Sequence, residues 1–477
     1  MNQHEATIVA LATPAGTAAI SMVRVSGALC RVWAEGALFG RHLPDRRACH
    51  VDYRSLDGQL VDDVVVVSYR APASYTGEDA LEISCHGNPF IVRRLVEDLG
   101  ARGARPALPG EFTQRAFLSG RLDLSQAEAV MDLIQARSDR SLAVAQQQLK
   151  GALGRHLAPL QSQLLDTAAS VEAYIDFPDE DLPPEDRERI TTQLDTVLRG
   201  TRRLLATRHY GQVLREGLRT VIAGAPNAGK SSLLNRLVGF DRALVSPEPG
   251  TTRDFLEETV RVGPHALRLI DTAGLNQLPG NELEKRGIRL TQERLQEADL
   301  ILWTVDLTEL THSPALAATG TSFDEMRRWP REKVLLLGNK VDQLADPSQA
   351  RARLSELWRH VFADAGDDRQ VILSAVTGEG LDRLVTTIVR LADGFQPDLG
   401  GEEMIAVSLR HAQALERAQT GLERALQLMT PPDGTPPASE LVASEIRGAL
   451  EALGEILGKY DHERMLDRLF AAFCIGK

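Results

Sequence analysis

The spacing of apolar positions changes several times along the chain, and each change marks a part of it. From Ala6 to about Arg121, short apolar runs at Ala18–Val25, Val64–Tyr69 and Leu81–Cys85 alternate with helical spacing and with turn signals such as Pro72 and Gly77. This pattern predicts a mixed α/β domain. From Ser125 the turn signals thin out, and Leu149, Leu153, Leu157, Leu160 and Leu164 recur at intervals that place them on one helical face. The helical pattern stops near Asp176-Phe177-Pro178, where an acidic, proline-containing loop runs from Asp179 to Asp186.

After about Gly401 the helical period returns, with Leu415, Ala418, Leu422, Ala425 and Met429, then Val442, Ile446, Ala449, Leu453 and Ile456. A helix with one apolar stripe must bury it. The economical arrangement packs the two helical stretches into one bundle, with the segment between them inserted as a domain of its own. Two separate helical domains are the other arrangement, and neither stripe is sustained long enough to favour a coiled-coil seam. The expected organisation is an N-terminal α/β domain over residues 1–121, a helical domain made of 122–215 and 395–477, and an inserted α/β domain over 216–394.

Composition narrows the class without altering this outline. A chain of 477 residues is too long for one hydrophobic core and suggests about three domains. With 43% hydrophobic and 25% charged residues, neither a disordered nor a membrane class is favoured, and no apolar run approaches the roughly 20 residues that span a bilayer. The N-terminal MNQHEATIVALATPAG has the look of neither a secretory signal nor a transit peptide, and the expected location is the cytoplasm. Cys30, Cys49, Cys85 and Cys474 are far apart and form no C-x-x-C pair, which argues against structural zinc and a disulfide framework. The formal net charge of -12 opposes non-specific binding to nucleic acid, so an RNA partner needs a local basic patch.

The chemistry sits in the inserted segment. A buried-strand pattern, Thr220-Val221-Ile222-Ala223-Gly224, leads into Gly224-Ala225-Pro226-Asn227-Ala228-Gly229-Lys230-Ser231 and then a helical run with Leu233, Leu234 and Leu237. Strand, G-x-x-x-x-G-K-S and helix is the context a P-loop requires. Backbone N–H groups from Asn227 and Ala228 through Gly229, Lys230, Ser231 and Ser232 are the expected phosphate contacts. Lys230 supplies positive charge to the β and γ phosphates, and Ser231 offers a hydroxyl to Mg2+. Downstream, Leu267 to Ile270 reads as a strand ending in Asp271-Thr272-Ala273-Gly274, in which Asp271 can hold Mg2+ through water and the Gly274 N–H can sense a γ-phosphate. Between these motifs, Gly250-Thr251-Thr252-Arg253-Asp254 provides a threonine, Thr252, able to complete the Mg2+ shell only with triphosphate bound. Val334 to Leu337 leads into Asn339-Lys340-Val341-Asp342. The Asp342 carboxylate can accept two hydrogen bonds from guanine N1–H and its 2-amino group, both absent from adenine. Asn339 suits guanine N7, the Lys340 stem can cover the ring, and Ser374-Ala375, after the strand Val371 to Leu373, would present an N–H to O6. The expected substrate is therefore GTP. Leu275 follows Gly274 where Ras-like proteins carry a water-orienting glutamine, so another group must hold the attacking water. Asn227 offers a neutral oxygen of the kind a monovalent cation such as K+ accepts.

These motifs, together with the terminal Cys474-Ile475-Gly476-Lys477, resemble the MnmE (TrmE) family of tRNA modification GTPases, and the likeness extends over nearly the whole chain. Arg24-Val25-Ser26-Gly27, Thr76-Gly77-Glu78-Asp79, His86-Gly87, Pro109-Gly110-Glu111-Phe112 and Arg115-Ala116-Phe117-Leu118 carry it at the N-terminus. The resemblance implies a folate-binding, dimerising N-terminal domain, a helical bundle from two segments and a Ras-like G domain of TrmE type activated by K+-dependent dimerisation. It implies a homodimer that joins an FAD-dependent, MnmG/GidA-like subunit in a heterotetramer. That assembly adds an aminomethyl or carboxymethylaminomethyl group at C5 of the wobble uridine, position 34, of certain tRNAs. The one-carbon unit comes from a tetrahydrofolate, the 5,10-methylene or 5-formyl derivative. By resemblance, Asn227, Ser246, Glu248 and Thr251 would ligate K+, and Ser246, Thr251 and Thr252 lie among the GTP contacts. Glu284, aligned through Gly287-Ile288, would position the attacking water. Arg24, Glu82, Arg121 and Lys477 fall at folate-binding positions, and Cys474 lies near that site, where its thiol either takes part in chemistry or packs. Ala225 replaces a basic residue common in the family, and Arg121 stands where lysine often occurs. The competing class is a non-modifying switch GTPase of ribosome assembly, which predicts a basic RNA-binding appendage that the net charge does not show.

Overall fold

The structure, a computed structural model, describes residues 6–176, 184–240, 257–271, 293–312, 326–362, 367–396, 404–431, 435, 437–458, 473 and 476. The chain divides into two compact units, one of Met1–Met131, Gln147–Arg199 and Gln413–Lys477, the other of Asp132–Gln146 and Gly200–Ala412.

The first unit contains a six-stranded sheet of β1 (Ile8–Leu11), β2 (Ile20–Ser26), β3 (Cys49–Arg54), β4 (Leu60–Tyr69), β5 (Ala80–His86) and β6 (Arg105–Pro106), in the order β3-β4-β5-β2-β1-β6. All pairs are antiparallel except β1 with β6. Alternation sends Val64, Val66, Leu81, Ile83, Val23 and Val25 to one face, where the helix Pro89–Ala101 buries Val92, Leu95 and Leu99 against them. Asn88 caps that helix by accepting the Phe90 N–H at 2.9 Å. The opposite face carries Ile8 and Ala10, covered by Phe112 of the helix Glu111–Leu118. Register places Ala10, Arg24, Glu82 and Val67 side by side across four strands of this second face.

The helices confirm the two-segment bundle. Ala152–Asp176, from the first segment, packs along Ser439–Leu457, from the second. Leu153, Leu157 and Leu164 are fully buried, as are Leu415, Ala418, Leu422, Ala425, Val442, Ile446, Leu453 and Ile456. The first leucine stripe needs one correction. Leu149 ends a separate helix, Asp139–Leu149, and a turn at Lys150-Gly151 precedes Ala152–Asp176. Phe473 is buried with Leu124 and Ala127, and Gly476 adopts φ 98° with its α-carbon so close to β1 that a Cβ would lie 2.3 Å from the Leu11 carbonyl oxygen.

The second unit holds a sheet of β7 (Leu218–Gly224), β8 (Glu257–Val262), β9 (His265–Asp271), β10 (Leu300–Asp306), β11 (Val334–Asn339) and β12 (Gln370–Ile372), in the order β12-β11-β10-β7-β9-β8. Only β8 runs antiparallel to its neighbour. Every residue of β10 is buried, as a strand covered on both faces requires. Among the described residues no helix is long and apolar enough to cross a membrane.

Candidate functional site

Strand β7 has β9 on one side and β10 on the other, so the strand order switches direction there, and the crevice at its carboxyl end is where open α/β sheets bind ligands. The P-loop fills that position. β7 delivers Ala225 to Gly229, and the helix Lys230–Phe240 starts at once, anchored by buried Leu233 and Leu237. Asn227 holds φ 63°, an uncommon conformation for a residue with a Cβ. Gly229 has no alternative: at φ 93° a Cβ would lie 2.1 Å from Asn339 Nδ2. Lys230 Nζ donates to the Gly224 and Ala225 carbonyls at 3.0 and 2.8 Å, so its ammonium lies at the mouth of the loop. Ser231 and Ser232 occupy the exposed first turn.

The base-reading loops converge on the same end of the sheet. Asn339 was expected at guanine N7; it is buried, and it also ties three loops together. Its Nδ2 donates to the Ala228 carbonyl at 2.8 Å, and its Oδ1 accepts the Ala375 N–H at 3.0 Å. One amide hydrogen remains for a base, while the Ala375 N–H, expected to face O6, is engaged by Asn339 in this structure. Ser374 is buried and its Oγ accepts the Thr377 N–H at 3.0 Å, which closes the turn below Ala375. Asp342 lies exposed in the short helical turn Val341–Gln343 and accepts no hydrogen bond from any described residue. Buried Val341 roots that turn.

Sequence reading missed one participant. Asp306, the last residue of β10, pairs in register with Asn339 and meets the Lys340 ammonium at 2.5 Å. Burial pushes the Asp306 carboxyl up, but hydrogen bonds from Lys340 and from the Thr308 hydroxyl and N–H outweigh it and hold the group below the usual carboxylate range. An acid closing the mostly apolar strand pattern Leu300–Val305, interrupted only by Thr304, was the available signal.

A second site lies in the N-terminal sheet. Arg24, Glu82 and Arg121, with Tyr69, Tyr75 and Phe112, line a cavity of about 260 Å³. Arg24 donates to Glu82 Oε1 at 2.8 Å and Tyr69 OH to Oε2 at 3.1 Å. The Arg24 guanidinium lies 5.3 and 5.9 Å from the ring centroids of Tyr75 and Phe112. Burial and the Glu82 charge push the Tyr69 hydroxyl's pKa up, so it remains a donor. Arg121 is exposed at the rim. Beside the cavity, Arg115 bridges Glu78 at 2.9 Å and Glu111 at 3.0 Å, Arg105 pairs with Glu111 at 2.5 Å, and Ser26 donates to Glu78 at 2.7 Å.

Of the remaining expected residues, Asp271 ends β9 with its backbone opposite Ile222. Ser246, Glu248, Thr251, Thr252, Thr272, Ala273, Gly274, Glu284, Cys474 and Lys477 lie outside the described residues.

A parallel sheet whose switch-point strand enters G-x-x-x-x-G-K-S, and whose next strands end at N-K-x-D and Ser-Ala, defines a P-loop protein of the guanine-nucleotide class. Family profiles described as "GTP-binding protein TrmE N-terminus" and "MnmE helical domain" match residues 7–121 and 124–474. The chain is 50% identical over 475 residues to a tRNA modification GTPase MnmE of Opitutus terrae, covering 99% of both. It is 40% identical over 482 residues to that of Akkermansia muciniphila, covering all of both chains, and 41% over 484 residues to that of Symbiobacterium thermophilum, covering 99% of this chain and all of that one. The chain belongs to the MnmE family of tRNA modification GTPases.

Proposed function

We propose that this GTPase of tRNA modification is K+-stimulated and dimeric, and that with an FAD-dependent partner subunit it modifies C5 of wobble uridine 34, in the cytoplasm, using a tetrahydrofolate one-carbon unit. The observation that carries this reading is the cavity holding Arg24, Glu82 and Arg121 in a chain that also bears a guanine-nucleotide site. A carboxylate fixed by Arg24 and Tyr69 suits the 2-amino and N3–H edge of a pterin, aromatic walls suit its ring, and Arg121 at the rim suits an anionic tail. By family resemblance, Lys477 belongs to the same proposed set, and Cys474 is assigned to its vicinity.

In the G domain, Lys230 holds the β and γ phosphates and the loop N–H groups cradle them. Ser231, exposed in the first turn of its helix, fits Mg2+ together with Thr252; the ion neutralises phosphate charge when bound. Asn227, exposed on its left-handed loop residue, fits K+ with Ser246, Glu248 and Thr251, and Glu284 orients the attacking water. The homodimer brings two such G domains together.

Two measurements test this. GTP turnover should be much faster in K+ than in Na+, and Asn227→Ala should weaken the preference; equal rates in both salts remove the cation from the reading. The full-length protein should bind 5-formyltetrahydrofolate, and Glu82→Gln should weaken binding by roughly tenfold or more, the scale of one charge-assisted hydrogen bond. A chain that ignores reduced folates, in cells whose uridine-34 modification survives its deletion, returns the assignment to a non-modifying switch GTPase.

A further inference from the structure

The Lys340 backbone adopts φ 65°, a left-handed conformation that a residue with a side chain holds only when its surroundings fix it. The flanking contacts explain how. Parallel pairing sets Asp306 directly opposite Asn339, and the left-handed turn at Lys340 brings its ammonium to 2.5 Å from Asp306 Oδ2. The two carboxylate oxygens of Asp306 have separate tasks. Oδ1 accepts the Thr308 N–H at 2.9 Å and the Thr308 hydroxyl at 2.7 Å, securing the turn that follows β10. Oδ2 takes the lysine. The Asp306 side chain is only 6% exposed, so this is a shielded ion pair rather than a surface one.

We propose that Asp306 is the positioning residue of the base site, holding Lys340 by its ammonium so that the four-carbon stem is laid over the face of the guanine ring. The inference rests on the guanine-nucleotide reading of the site. Asp342 reads the edge of the base and Asn339 joins the loops, but neither fixes the lysine. An unanchored lysine stem loses rotamer freedom each time it covers a base, whereas one tethered at its far end has already lost it. Asp306 therefore acts on affinity for the base through Lys340, without touching the nucleotide.

The test is a double-mutant cycle on the full-length protein, with GDP titrated calorimetrically. Asp306→Asn keeps an oxygen for Thr308 and removes the charge that holds Lys340. It should raise the GDP Kd about tenfold, read at a temperature where the thermal midpoint shows the variant to be folded. In a Lys340→Ala background the same substitution should change the Kd less than twofold, because no lysine remains to be positioned. Asp306→Glu, which keeps the charge on a longer stem, should fall between wild type and Asp306→Asn. A loss of equal size in both backgrounds makes Asp306 a merely structural residue and overturns the proposal, as does an unchanged Kd in Asp306→Asn. Failure of the unaltered protein to bind GDP would instead overturn the guanine-site reading beneath it.

Discussion

Asp342→Asn is expected to convert the protein from a GTPase into one that prefers xanthosine triphosphate. A carboxylate only accepts, and it matches the two donors on guanine's N1 and 2-amino positions. An amide presents a donor, which suits the carbonyl that xanthine carries in place of the amino group. The affinity for GTP should drop by roughly a hundredfold or more, since the lost partners face a site built for them. Asp342 is exposed and accepts no hydrogen bond from the described residues, so the fold does not depend on its charge. Its turn is rooted by Val341 and tied to the residue following β12 by the Val341 N–H on the Leu373 carbonyl at 3.3 Å. Competitive turnover of the two triphosphates checks the exchange; unchanged GTP selectivity removes Asp342 from base recognition.

The second large effect is on stability. Arg115, with its side chain 3% exposed, holds Glu78, Glu111 and the Ala6 carbonyl at once. Arg115→Ala leaves two acids short of their counter-charge inside the N-terminal domain and should cost about 3–5 kcal/mol, a large share of the roughly 5–15 kcal/mol that stabilises a domain. Arg115→Lys keeps the charge but loses the forked guanidinium and should fall between. Urea unfolding followed in the N-terminal domain, with GDP affinity measured in parallel, separates the effect from the G domain. The same network sets an acid limit. Burial pushes the Glu111 carboxyl up, but bonds from Arg105, the Leu108 N–H and Arg115 outweigh it, so its folded-state pKa lies below the unfolded one. Its contribution is fully present above the unfolded carboxylate value, about 4.3, and is lost as pH falls through the depressed folded value.

The parts that the sequence makes legible are those whose signal is local. G-x-x-x-x-G-K-S, N-K-x-D and the stripes at Leu415–Met429 and Val442–Ile456 each carry their meaning within a few turns of chain, and the corresponding strands and buried faces are present. What stays hidden depends on register. Arg24 and Glu82 are 58 positions apart, and nothing in either neighbourhood says that β2 and β5 pair so as to set them side by side. Glu78, Arg115 and Glu111 look like surface charges on separate motifs until the helix Glu111–Leu118 folds onto the sheet. Asp306 escaped notice for the same reason, because its partner lies one residue past the end of a neighbouring strand. The break at Gly151 was obscured because the leucine spacing runs on across it.

The contact of Gly476 with Leu11 and Ala12 also has a meaning in time. β1 leaves the ribosome before the glycine that packs against it, which follows about 465 residues later. At roughly 5–20 residues per second, about 20 to 90 seconds separate the two. During that interval the N-terminal sheet can form, but the end of β1 at Leu11 and Ala12 lacks its contact with Gly476, and Leu124 and Ala127 lack Phe473. This part of the molecule is therefore completed by residues made long after it, and the surface around Leu11 stays open until Gly476 arrives.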